Sequence, residues 1–168
     1  MTTPKLQILL DKAETMACDM LADHGKILPC VICHKADGES FIIAYDPAPT
    51  VMQRRFVALG IGNKLREVHA SAYVVLHEVW IGDHPSRQAA EAALMKGPPS
   101  KSPERIDGAL IEAHTIISTE VRMFKIDRSG KKPSLVLLYD PADDSGNVVK
   151  DRSSIWDGLL DEPNATRH

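Results

Sequence analysis

Apolar positions along the N-terminal half of the chain keep a helical spacing first and an alternating one afterwards. Leu6, Leu9, Leu10, Ala13, Met16, Ala17, Met20 and Leu21 form one helical stripe. Thr3 is placed to cap it, Pro4 suits the first turn and Gly25 supplies a stop, so a helix is predicted over residues 4–24. Two β-like runs, 27–34 and 40–45, are joined through the turn dipeptide Asp37-Gly38 and read as a hairpin. After the breaker Asp46-Pro47-Ala48-Pro49, the tetrapeptide Thr50-Val51-Met52-Gln53 matches a capping box and opens a second helix. That helix carries two apolar stripes, Met52, Phe56 and Leu59 on one and Ile61, Leu65 and Val68 on another, with Gly60 and Gly62 between them. Each interior glycine costs about 1 kcal/mol relative to alanine, so a kink or break near Gly60 is expected.

Residues 71–81, SAYVVLHEVWI, are apolar at nearly every position, the pattern of a strand covered on both faces in the middle of a sheet. The segment 82–107 reads as an insertion, with an Ala-rich helix from Pro85-Ser86 to about Lys96 and then the Pro-rich loop GPPSKSPERIDG. From Ala109 a long alternation puts Ala109, Ile111, Ala113, Ile117, Val121 and Met123 on one side. Glu112, His114, Ser118, Glu120 and Arg122 fall on the other, so one face is expected to be buried and the other wet. The run exceeds a normal strand and should be bent, bulged or divided. A final strand over 133–140 follows the turn at 128–132, and the polar tail 141–168 should pack loosely, with Ser154 capping a short turn that docks Ile155, Trp156, Leu159 and Leu160. The predicted fold is a single α+β domain over 1–168, a mostly antiparallel sheet of about five strands with two main helices on one face, in the order α-β-β-α-β-(insertion helix)-β-β.

Composition narrows this picture. At 168 residues the chain is long enough to bury roughly 70% of its unfolded surface around one core. Aromatic residues are only 5% of it, so aliphatic side chains must fill that core and little is available for stacking bases or sugars. The net charge is −3, with 20 basic and 23 acidic residues interspersed, which disfavours general nucleic-acid binding. The basic spots Arg54-Arg55 and Arg128-Ser129-Gly130-Lys131-Lys132 read as solvated surface. Asp11 and Glu14 interrupt the N-terminal apolar cluster, unlike a signal peptide, and no apolar run approaches the roughly 20 residues of a membrane helix. A cytoplasmic location without membrane contact is the expectation, and an odd set of three cysteines points away from a disulfide framework.

The motif Cys30-Val31-Ile32-Cys33-His34 has the residue types of haem attachment, zinc binding or redox chemistry. Its neighbours favour a strand, in which side chains three apart point to opposite faces, so the two thiols should share no ligand. Zinc also lacks a second ligand pair, and the deaminase pattern lacks its upstream His-x-Glu because His24 is followed by Gly25-Lys26. No cofactor and no metal site is therefore expected. His77 and His114, each with a carboxylate nearby in Glu78 and Glu112, could assemble an acid/base pair or a divalent-metal site if their strands are antiparallel neighbours. That constellation would define a small hydrolase or metal-dependent enzyme; otherwise these residues mark a strand end and a solvated sheet face. Gly-rich nucleotide loops, the G-x-S-x-G elbow and HExxH are missing from the sequence, and the acidic run 140–146 does not fit an EF-hand loop.

The order of elements and the segments AYVVLHEVWIG and DRSGKKPSLVLLYDP resemble small uncharacterised bacterial or phage α+β proteins over roughly residues 4–140. The resemblance implies a fold and carries no activity or site residue. The leading expectation is a non-catalytic accessory or interaction protein that binds a protein partner or a copy of itself. Its surface would be an open sheet face bearing Glu112, His114, Ser118, Glu120 and Arg122, a sheet edge, or the Pro-rich insertion, with Ile116 and Phe124 as apolar anchors.

Overall fold

The computed structural model describes residues 4–48, 50–82, 87–96, 105–139 and 156–161. The first helix, α1 (Pro4–His24), buries Leu6, Leu10, Ala13, Ala17 and Leu21 completely. It ends where Gly25 takes a left-handed φ of 71° and donates its N–H to the Leu21 carbonyl at 2.9 Å. Strands β1 (Cys30–Lys35) and β2 (Ser40–Ala44) form the expected hairpin, turned by Gly38 at φ 92°. The second helix, α2 (Val51–Glu67), starts at a complete capping box. Gln53 N–H donates to Thr50 Oγ1 at 3.2 Å, and the Gln53 side chain accepts the Thr50 N–H at 3.1 Å.

No break occurs near Gly60: α2 is continuous, because Ala58, Ile61, Gly62 and Leu65 pack as one buried stripe. Gly62 also lies against the C-terminal segment, where an added Cβ would stand 3.4 Å from Leu159 Cδ2. Tertiary packing thus overrides the propensity of the two glycines. After His69, in the left-handed region at φ 55°, comes β3 (Ala70–Gly82). The helix α3 (Arg87–Lys96) lies within the insertion, whose Pro-rich stretch 97–104 falls outside the described residues. Strands β4 (Arg105–His114), β5 (Thr119–Asp127) and β6 (Ser134–Tyr139) complete the sheet.

The six strands are ordered β2-β1-β3-β4-β5-β6 and every neighbouring pair is antiparallel, so the α+β class is as expected with one strand more. The extra strand comes from the long alternation, which is divided at Thr115–Ser118. There Thr115 N–H donates to the Ser118 carbonyl at 2.8 Å, and Thr115 Oγ1 accepts from the N–H groups of Ile117 and Ser118.

The helices do not share a face, which corrects the expected arrangement. Helix α1 packs with Cys30, Ala72, Val74, Leu76, Ala109, Ile111, Ala113, Phe124 and Ile126. Helix α2 packs on the opposite side with Val31, Cys33, Tyr73 and Val75, joined by Trp156 and Leu159 from the C-terminal segment. The cause lies in β3, whose residues 72–76 are apolar on both alternating sets and need cover from both directions.

Candidate functional site

In the hairpin of β4 and β5, His114 stands opposite Thr119 and Glu112 opposite Val121, so each even-numbered residue faces an odd-numbered one. The turn therefore inverts the alternation that ran evenly through the sequence. Glu112 and His114, opposite Val75 and Tyr73 of β3, lie on the α2 side. Arg122 and Glu120, opposite Ile111 and Ala113, lie on the α1 side, and Ser118 belongs to the turn. The polar set does not make one open face, and three of its members are interior: Glu112 is 2%, His114 1% and Arg122 3% exposed.

Arg122 reaches from β5 to α1, its Nη1 lying 2.8 Å from both Asp11 Oδ1 and Glu14 Oε2. Both carboxylates sit at the solvent rim, so the buried cation is tied to half-wet anions. It works as a clamp between helix and sheet.

The α2 side holds the denser polar cluster. The His114 ring stacks on Tyr73 at 4.6 Å with 9° between planes. Its Nε2 lies 3.5 Å from Glu112 Oε2, and its Nδ1 lies 3.1 Å from Thr119 Oγ1 and 3.5 Å from Asp157 Oδ1. The Tyr73 hydroxyl donates to the Trp156 carbonyl and accepts from Leu159 N–H at 3.4 Å. Burial holds that phenol well above its ordinary 10.0, so it stays a donor at neutral pH. Helix α2 adds Arg66, whose Nη1 donates to the Leu159 carbonyl at 2.7 Å. The cluster fastens residues 156–160 across the sheet, and these residues in turn seal the imidazole from solvent.

The four residues considered for catalysis are thus only partly assembled. Glu112 and His114 are neighbours inside the seal. His77 shares their side of β3, opposite Leu110, and is half-buried at the point where the core ends. Glu78 faces the other way: its Oε1 accepts Ile27 N–H at 2.8 Å and lies 3.5 Å from Arg128 Nη2, pinning the chain between α1 and β1. Among the described residues, no group of three or more His, Cys, Asp or Glu is placed to hold a metal ion. Cys30 belongs to the α1 core and Cys33 to the α2 core, and burial pushes both thiols from 9.0 up to about 11. They are protonated, apart, and share nothing.

Among the described residues, three of the features open to solvent bear on function. One is a stripe on α2, where Met52, Phe56 and Leu59 are 69%, 67% and 58% exposed. A second is the sheet edge at β6, with Val136, Leu137 and Leu138 exposed. The third is a cleft of about 450 Å³ beyond the end of β1, where β3 continues paired only with β4; Tyr45, Arg54, His77, Glu78, Trp80 and Trp156 line it. Sequence reasoning singled out neither Tyr73 nor Asp157 for the polar cluster around His114. Pairing across 41 or more residues leaves no local signal, although the docking of Trp156 and Leu159 was readable from their spacing. No family model, no curated protein and no solved structure matches the chain, so its fold and sites stand on their own geometry.

Proposed function

We propose that this chain is a non-catalytic accessory protein, bacterial or phage in origin by its resemblance, that binds a protein partner through the outer face of α2. The observation that carries the reading is the exposure of Met52, Phe56 and Leu59 on the side of the helix opposite Ala58, Ile61 and Leu65. Leaving a large apolar side chain in water forgoes about 1.5–3 kcal/mol of burial, and three on successive turns make a surface suited to docking. Helix faces of this kind are recognised at positions three and four apart.

Of the surfaces considered from sequence, the polar sheet face is occupied by the core and the two clusters, and most of the insertion's loop lies outside the described residues. The β6 edge is available but shorter in apolar area. Arg55 lies beside Met52, Phe56 and Leu59 on the exposed side of α2, so the fitting partner presents an apolar groove or helix with an acidic residue at its border. A contact between two copies through this face would bring Arg55 of both into one interface, which favours a different protein. A cytoplasmic setting belongs to the same reading and is supported by three free thiols. No helix among the described residues is long and apolar enough to cross a membrane.

The test compares the tagged protein with Phe56→Asp in quantitative capture from the native host. The expected result is a partner recovered by the parent and lost with the variant, at unchanged melting temperature. Equal recovery of every bound protein by both would overturn the reading.

A further inference from the structure

Strand β1 pairs with β3 only as far as Cys30 opposite Leu76, while β3 runs on to Gly82 with β4 alone beside it. In an antiparallel ladder the N–H and C=O groups of every second residue face one neighbour, and those between face the other. Over residues 78–82 the set that does not face β4 therefore points into a notch beyond Pro29, and among the described residues no strand fills it. Tyr45 N–H donates to the Pro29 carbonyl at 3.2 Å and closes the mouth of the first hairpin, which makes that pair the end wall of the notch. Hollows of about 450 and 740 Å³ meet there, sharing Pro29, Tyr45, Pro47 and Glu78.

The side chains of β3 alternate across this open edge. Val79 shares the parity of Tyr73 and Val75 and points to the α2 side, where Tyr45 and Trp156 pack with ring centroids 5.3 Å apart. Glu78 and Trp80 share the parity of Val74 and Leu76 and point to the α1 side. There Glu78 accepts the Ile27 N–H, and Trp80, 47% exposed, carries the Arg105 guanidinium 4.6 Å from its ring centroid. A compact ligand reaches one of these faces at a time. An extended peptide reaches both, because its successive side chains point in opposite directions.

We propose that the notch takes an extended peptide segment of a protein partner, added as a strand to the open edge of β3 at residues 78–82. One apolar side chain of the peptide enters the α2-side hollow among Val79, Tyr45 and Trp156, and the next lies along Trp80 on the other face. Main-chain hydrogen bonds supply affinity in this mode and the alternate pockets supply specificity. The contact is independent of partner binding at the α2 stripe.

Two measurements on the whole chain decide the matter. Hydrogen exchange followed by NMR should show residues 73–76, flanked by strands on both sides, protected throughout, and residues 78–82 alternating, every second amide exchanging at least about tenfold faster than its neighbours. Even protection across 78–82 would mean that the edge is already covered, and would overturn the proposal. The binding probe is a displayed library of random linear octapeptides selected on the folded protein. Enriched sequences should carry apolar residues at alternate positions, and the best of them, made as a free peptide, should slow the fast amides of 78–82. Val79→Lys, which sets a charge at the edge, should weaken that peptide at least about tenfold while the melting temperature and far-ultraviolet circular dichroism stay as in the parent. N-methylation of the peptide's central amides keeps its side chains and removes its donors, and should weaken binding to the parent by a similar factor. Phe56→Asp should bind the peptide like the parent. Selected peptides that protect amides outside 78–82, that tolerate N-methylation or that bind Val79→Lys undiminished would each overturn the proposal, as would a library yielding none that saturates below about 1 mM.

Discussion

Under α1 the sheet is closed almost wholly by hydrocarbon, and its buried cation, Arg122, leans out to carboxylates at the rim. Under α2 the polar groups lie inside: Glu112 and His114 are sealed beneath residues 156–160, with Tyr73 and Asp157 completing the contacts. The difference teaches that burial alone does not rank these interactions. What matters is which charge stays behind when a partner is removed, and how much water can reach it.

The sealed side should therefore give the larger lesion. His114→Leu leaves the Glu112 carboxylate interior without its imidazole, and urea denaturation is expected to show a loss of about 3 kcal/mol or more. Adding Glu112→Leu should restore most of that loss, because an apolar pair replaces a polar one of similar size. A single variant as stable as the parent would remove the contrast between the faces.

On the α1 side the asymmetry takes another form. Asp11→Asn with Glu14→Gln removes the two charges that α1 offers to the buried guanidinium of Arg122 and should cost about 2 kcal/mol, less than the sealed-side lesion because solvent reaches the rim. Arg122→Met leaves two carboxylates that can rehydrate, so it should cost less than the double carboxylate change. The reverse order would mean that Arg122 stabilises mainly through its hydrocarbon stem.

The sequence made the elements legible wherever local chemistry decides them. The α1 stripe, the Thr50 capping box, the Asp37-Gly38 turn and the doubly covered β3 were all readable from nearby residues. The site was not, for a specific reason: strand alternation predicts a common face only while the strand continues. The turn at Thr115–Ser118 reverses the parity, and the five polar residues that looked like one surface separate into an interior pair, Glu112 and His114, the turn residue Ser118, and Glu120 and Arg122 on the α1 side. Opposite disposition of Cys30 and Cys33 was readable because no turn lies between them. The two stripes of α2 were also visible, and the structure assigns one to the core and leaves the other in water.

That division sharpens through the two glycines of α2. An added Cβ at Gly60 meets nothing within 4 Å, so Gly60→Ala should raise stability by about 0.5–1 kcal/mol through helix propensity alone. At Gly62 the Cβ would stand 3.2 Å from Arg66 Nη1 and 3.4 Å from the Leu159 carbonyl oxygen. Crowding of the fastening between α2 and the C-terminal segment should cancel that gain or reverse it. Thermal unfolding of the two variants distinguishes the solvent side of α2 from its packed side; equal gains would mean that residues 156–160 are not held by this contact.

The smallest expected effect concerns the thiols, one beneath each helix. Unfolded cysteines lose their protons near the ordinary 9.0, whereas folded Cys30 and Cys33 keep theirs until about 11. Between those values the unfolded chain binds fewer protons, so stability should be fully present below pH 9 and fall as pH rises toward 11. Denaturation midpoints across that window measure the slope, and Cys30→Ala and Cys33→Ala should each remove a part of it. At neutral pH an aromatic disulfide reagent should modify the exposed Cys18 in the folded protein and reach the other two thiols only on unfolding. Rapid reaction of Cys33 alone would place water beneath α2, and the sealed character assigned to that face would give way at the strand nearest the sheet's edge.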